Sequence, residues 1–181
     1  MKAISKILAT LLTLTTLATS AQNTEWVISK SSVKFKIKNA GFNVDGTLGA
    51  VTGKINFDET KTTGNTIDVS IDTKTLSTAN KKRDEHLAKP EYFDIAKYTA
   101  ITMKAVLFTK EKDGTYKGFF KLTMKGKTKE IAIPFVFTNA GGKSTMKGTF
   151  TINRLDYGVG ESSFILNDFA TVTVELNLIK K

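Results

Sequence analysis

The chain has 181 residues, of which 40% are hydrophobic and 9% aromatic, a length and make-up that suit one domain with a substantial core and exclude an extended disordered protein. Its 27 Lys and Arg against 17 Asp and Glu give a formal charge of +10, which favours anionic partners and specifies no fold. The absence of cysteine excludes a disulfide scaffold and thiolate metal sites, and the single histidine, His86, cannot furnish a multi-histidine metal centre, so no cofactor is expected.

The first segment reads as an address. Lys2 and Lys6 form a positive end, Ile7 to Leu17 an apolar stretch, and Ala18-Thr19-Ser20-Ala21 a run of small residues suited to a signal peptidase. The stretch is shorter than the about 20 apolar residues a membrane helix needs, and polar residues from Gln22 to Glu25 follow it at once. A secretory signal over residues 1–21 is therefore expected, with the domain occupying 22–181 in the periplasm or outside the cell.

Beyond Ala21 the dominant period is two. Val33, Phe35 and Ile37 alternate with lysines; Ile67, Val69 and Ile71 with Asp68, Ser70 and Asp72; Phe120, Leu122 and Met124 with Lys121, Thr123 and Lys125. Each run has one apolar and one polar face, the pattern of a half-buried antiparallel strand. Eight substantial strands are predicted near 32–38, 44–57, 66–72, 100–109, 115–125, 129–138, 144–153 and 169–179, after a short leader at Trp26 to Ile28. The 44–57 strand is long and its apolar phase slips across Gly49, which predicts a bulge or bend there. Gly64-Asn65, Asp113-Gly114 and Asn139-Ala140-Gly141-Gly142 supply hairpin turns. The expected fold is all-β: an eight-stranded antiparallel barrel of up-and-down type, which removes exposed edges, with a flat sandwich as the second arrangement.

One interval breaks the period. Residues 77–88 hold helix formers behind a Ser/Thr cap and stop before Pro90, so a short helix is expected between strands, with Arg83 and Leu87 on one face. No repeat or linker marks a second domain.

All but two of the basic residues are lysines, many in the outward phase of strands, where they serve solubility and edge protection. Without arginine forks and stacking aromatics on a shared surface, the pattern argues against nucleic acid; transient contact with an anionic membrane surface fits it better. The two arginines lie outside the strands beside acids, Arg83 next to Asp84 and Arg154 near Asp156. Two readings stay open for them: ion pairs or loop anchors closing a barrel end, or a cavity mouth that meets a ligand headgroup. His86 could join an acid in acid/base chemistry or be a surface residue.

These residues also carry a resemblance. Trp26-Val27-Ile28 at the start of the domain, Val33-Lys34-Phe35 with Gly46 downstream, Lys82-Arg83-Asp84-Glu85-His86-Leu87 leading to Tyr92-Phe93-Asp94, Leu122-Thr123-Met124-Lys125-Gly126, and Arg154-Leu155-Asp156-Tyr157-Gly158-Val159-Gly160 together resemble the YceI-like family of exported bacterial proteins. The likeness spans Trp26 to Leu178, with a local departure where Thr99 follows Tyr98 in place of the family's frequent proline. The resemblance implies a lipocalin-like barrel that holds an isoprenoid or similar long-chain amphiphilic lipid for transport or storage, without catalysis. On that reading the inward phase supplies Phe35, Ile37, Ile55, Phe57, Met103, Leu107, Phe120, Leu122, Phe135, Phe150 and Ile152 as cavity lining or packed core, and Arg83, Asp84, His86, Arg154 and Asp156 form the mouth or headgroup site. The alternatives are a solidly packed barrel acting as a surface or stress-response interaction module, and an enzyme acting on a lipid-like substrate. A monomer or a homodimer is expected.

Overall fold

The structure is a computed structural model that describes residues 24–61 and 63–181. The expected signal segment, residues 1–21, lies outside the described residues.

Among the described residues nine strands run in chain order: β1 (Glu25–Asn39), β2 (Phe42–Leu48), β3 (Val51–Asn56), β4 (Thr66–Asp72), β5 (Ala100–Lys110), β6 (Tyr116–Met124), β7 (Lys127–Ala140), β8 (Lys143–Asn153) and β9 (Leu166–Lys180). A helix, α1 (Lys81–Leu87), lies between β4 and β5, and a 3-10 turn spans Arg154–Tyr157. Every pairing is antiparallel, and from β3 onward each strand pairs with the next in sequence. β1 then closes the sheet against β9, from Trp26 opposite Lys180 to Asn39 opposite Leu166. β2 and β3 are the two arms of one bent strand, both paired to β1, so the barrel closes with eight staves, while the far side of β2 pairs with no described strand and is met by Ser77 at Thr47.

The bend falls where the apolar phase slips. Gly49 N–H donates to Thr75 Oγ1 at 2.8 Å, and a Cβ on Gly49 would sit 2.7 Å from the Thr75 side chain, so the chain turns against the β4–β5 connection only because no side chain intervenes. The leader at Trp26 and the 32–38 strand are one element, with a register shift between Ile28 and Lys30. The helix starts later than residue 77. Ala79 takes a positive φ of 57°, Asn80 is the N-cap and accepts from Arg83 N–H at 3.1 Å, while Ser77 and Thr78 donate instead to Asp84.

The connections divide the barrel into two ends. At one end lie the 57–65 turn and the β5–β6 and β7–β8 hairpins, over a dense aromatic cluster. Fully buried Phe57 sits at its centre, with ring centroids 4.7 Å from Phe137, 5.2 Å from Tyr116, 5.5 Å from Phe108 and 5.8 Å from Phe135. Trp26 packs edge-on to Phe137 and donates its indole N–H to Phe57 O at 2.8 Å. At the other end the β1–β2 hairpin, the long 73–99 connection, the β6–β7 turn and the 154–165 loop meet. They are tied together by Ala40 N–H to Ile165 O at 2.7 Å, Gly160 N–H to Glu91 O at 2.8 Å, and Lys125 Nζ to Gly158 O at 2.6 Å.

Candidate functional site

Above the aromatic plug the barrel is hollow. A cavity of about 670 Å³ fills the half nearest the 73–99 and 154–165 segments, a size within the usual range of small-ligand sites. Strand alternation builds its wall: Val33, Phe35 and Ile37 from β1, Met103 from β5, Leu122 and Met124 from β6, Phe150 and Ile152 from β8, and Val172 and Val174 from β9. From residue 33 to residue 39, all on β1, the lining spans about 20 Å of strand. The roof comes from outside the strands: Leu76, Leu87, Tyr92, Phe93, Val159 and Ile165. No period announces these residues in the sequence.

Six of the eleven residues expected from the inward phase border the cavity: Phe35, Ile37, Met103, Leu122, Phe150 and Ile152. Ile55, Phe57, Phe120 and Phe135 point inward too, but they lie in the plug, where rings interlock, and none of them borders the cavity. Leu107 faces outward and is 48% exposed, because β5 shifts register between Ala105 and Leu107 and Phe108 takes the inward phase.

The mouth residues separate by what they touch. Arg154 is almost fully buried and its guanidinium is occupied: Nε donates to Asn167 O (3.0 Å), Nη1 to Val159 O (2.9 Å), and Nη2 to Glu161 O (2.8 Å), Leu166 O (3.3 Å) and Asp168 Oδ1 (2.9 Å). It borders the cavity yet anchors the loop over it. Asp84 faces the loop before α1, where the Thr78 hydroxyl, the Thr78 N–H and the Ser77 hydroxyl hold its carboxyl below the ordinary range, helped by the Arg83 charge and opposed by partial desolvation. Asp156 is exposed and off the cavity, and adjoins Tyr157, whose buried hydroxyl has no partner among the described residues and is pushed up to about 12, mainly by burial and then by the Asp156 charge. Asp84 and Asp156 are thus not part of the mouth.

Arg83 and His86 are. α1 presents Arg83 and Leu87, one turn apart, to the cavity. Arg83 Nε donates to Thr78 Oγ1 (2.7 Å) and Nη2 to Thr78 O (2.8 Å), an arrangement that aims the fork, while Nη1 has no partner among the described residues. No carboxylate among the described residues lies within 4.0 Å of it. His86 meets the edge of the Tyr92 ring at 4.9 Å, and both border the cavity. Glu91 and Glu161 also line the rim, which therefore carries polar groups of both signs above an apolar interior. Chemically this is an apolar chamber whose rim offers charged and polar groups.

Comparison with known proteins places this architecture. The model of the YceI-like domain matches residues 26–178. A UPF0312 protein of Pseudomonas savastanoi pv. phaseolicola is 32% identical over 155 residues, covering 78% of this chain and 80% of the relative, and a UPF0312 protein of Vibrio cholerae is 26% identical over 145 residues, covering 75% and 77%. Among solved structures, Burkholderia cenocepacia BcnA superposes with a TM-score of 0.77 at 22% identity, over 82% of this chain and 96% of that one. A polyisoprenoid binding domain from Saccharophagus degradans, implicated in plant cell wall breakdown, superposes with a TM-score of 0.70 at 12% identity, over 88% and 99%. The match across nearly all of the described chain, with the Arg83 to Leu87 and Arg154 to Gly160 segments inside it, shows that the chain belongs to the family of the YceI-like domain.

Proposed function

We propose that this protein is an exported carrier that holds an isoprenoid or similar amphiphilic lipid in its barrel, for transport or storage, with the tail in the cavity and the polar head at Arg83 and His86. The observation that carries the reading is the one-ended apolar cavity above a solid plug. The magnitude fits: at about 0.8 kcal/mol per buried methylene, roughly ten of them supply about 8 kcal/mol before the costs of immobilisation, so a tail binds with little help from the head. The unpartnered Nη1 of Arg83 would donate to a head oxygen. The polyisoprenoid binding domain with the same fold supports this ligand class, and the signal-like first 21 residues support export.

Native mass spectrometry of gently purified protein, followed by organic extraction, should release a long-chain lipid, and emptied protein should take up an isoprenoid probe. A protein that is found empty and refuses every isoprenoid probe overturns the proposal.

A further inference from the structure

Of the twelve phenylalanines only three are exposed, Phe42, Phe164 and Phe169, and all three lie at the open end of the barrel. Phe42 follows the Ala40-Gly41 turn of the β1–β2 hairpin and is 78% exposed; Phe164 is fully exposed in the 154–165 loop. The Ala40 N–H to Ile165 O bond joins these two loops, so the rings stand on adjoining supports. Ile165, itself exposed, also lines the cavity, which makes the exposed patch continuous with the cavity's apolar wall. The remaining exposed large apolar residues among those described, Val27, Val106, Leu107, Val136 and Ile179, are aliphatic and lie on strands, away from the two loops, as ordinary surfaces allow. Exposed Lys38 flanks the hairpin, and exposed Lys82 and Lys89 lie on α1 and just after it at the same end, where Lys81 pairs with Glu85 and Glu91 and Glu161 are also exposed.

A patch of this kind needs an occupant. A water-filled approach would strand a lipid tail between bilayer and barrel, whereas rings inserted at the depth of the headgroups put the mouth against the membrane, and the lysines and the net positive charge that remains on residues 22–181 select an anionic one. We propose that Phe42, Phe164 and Ile165 form a lip that inserts into the surface of an anionic phospholipid bilayer and seats the cavity mouth on it. The proposal rests on the reading of the cavity as a lipid site and names where the lipid is exchanged.

The test uses the purified protein with sedimenting vesicles of phosphatidylethanolamine and phosphatidylglycerol, or of phosphatidylcholine alone. The protein should sediment with the anionic vesicles and less with the neutral ones, and the F42S/F164S double variant should lose about tenfold or more of that partition. Neither ring lines the cavity, so the variant should still take up an isoprenoid probe from vesicle-free solution as the wild type does. Equal vesicle binding by wild type and variant overturns the lip, as does a wild type that ignores both vesicle types. So does a concentration-dependent dimer lost in F42S/F164S without vesicle binding, which would make the patch a contact between copies. Vesicle binding that depends on the two rings, in a protein that takes up no probe, supports the lip and sinks the cavity reading instead.

Discussion

Phe35 and Gly46 face each other across β1 and β2, and their pairing sets the width of the cavity. A Cβ on Gly46 would lie 2.1 Å from Phe35 Cζ and 2.5 Å from Cε1, so the ring lies flat on the wall in the space a side chain would fill. Gly46 is not at positive φ, and alanine suits its backbone. In G46A the ring must therefore turn into the lumen, removing the room of about two methylenes. The expected result is a folded barrel whose affinity for an isoprenoid probe falls by about tenfold, read by titration; unchanged affinity would show that the ring does not set the width. In the sequence, alternation places Phe35 inside, but a glycine opposite it says only that a side chain is missing, not which ring takes the space. Arg154 illustrates the same gap. Its position after β8 marks it as a loop residue, while the choice between headgroup ligand and anchor depends on four carbonyls and a carboxylate that the fold brings from residues 159–168.

At the scale of elements, period-two alternation was enough to locate the strands, because a sheet with one wet face must place polar residues every second position. It fails where the backbone skips a residue. β5 carries no glycine or proline at its register shift, so nothing in its sequence marks Leu107 as outward. Nor does alternation report height along the barrel axis: Phe57 and Phe35 read alike, and only the closed structure puts one in the plug and the other beside the void. The plug is what lets the remainder stay hollow, since rings contributed by β1, β5, β6 and β7, together with Phe57 just after β3, join the staves at one end. Phe57, touching four rings with no exposed surface, is its centre. Phe57→Ala should cost about 3–5 kcal/mol in urea unfolding, as for other buried aromatic truncations. A loss below about 1 kcal/mol would mean that the plug collapses around the gap and does not brace the barrel.

For the whole molecule, closure of β1 on β9 joins the staves into a ring whose two ends differ: one is packed and the other is hollow. The hollow end forfeits the contacts that side chains would have made across the lumen, so its strand ends and roof segments should open locally at lower cost than the plug. A lipid in the cavity restores those contacts and must leave before the roof can open. With free lipid probe at about 100 times its dissociation constant, each such opening becomes costlier by about 2.7 kcal/mol, slowing exchange through it by about a hundredfold. Hydrogen exchange followed by mass spectrometry should therefore show, at short labelling times, added protection confined to residues 33–44, 73–99 and 154–170. The β5–β6 and β7–β8 hairpins, which fray without disturbing the cavity, should exchange at the same early rate with and without probe. Protection spread evenly over both ends at those times, or concentrated on the closed-end hairpins, would place the lipid somewhere other than the lumen bounded by Phe35, Met103 and Ile152.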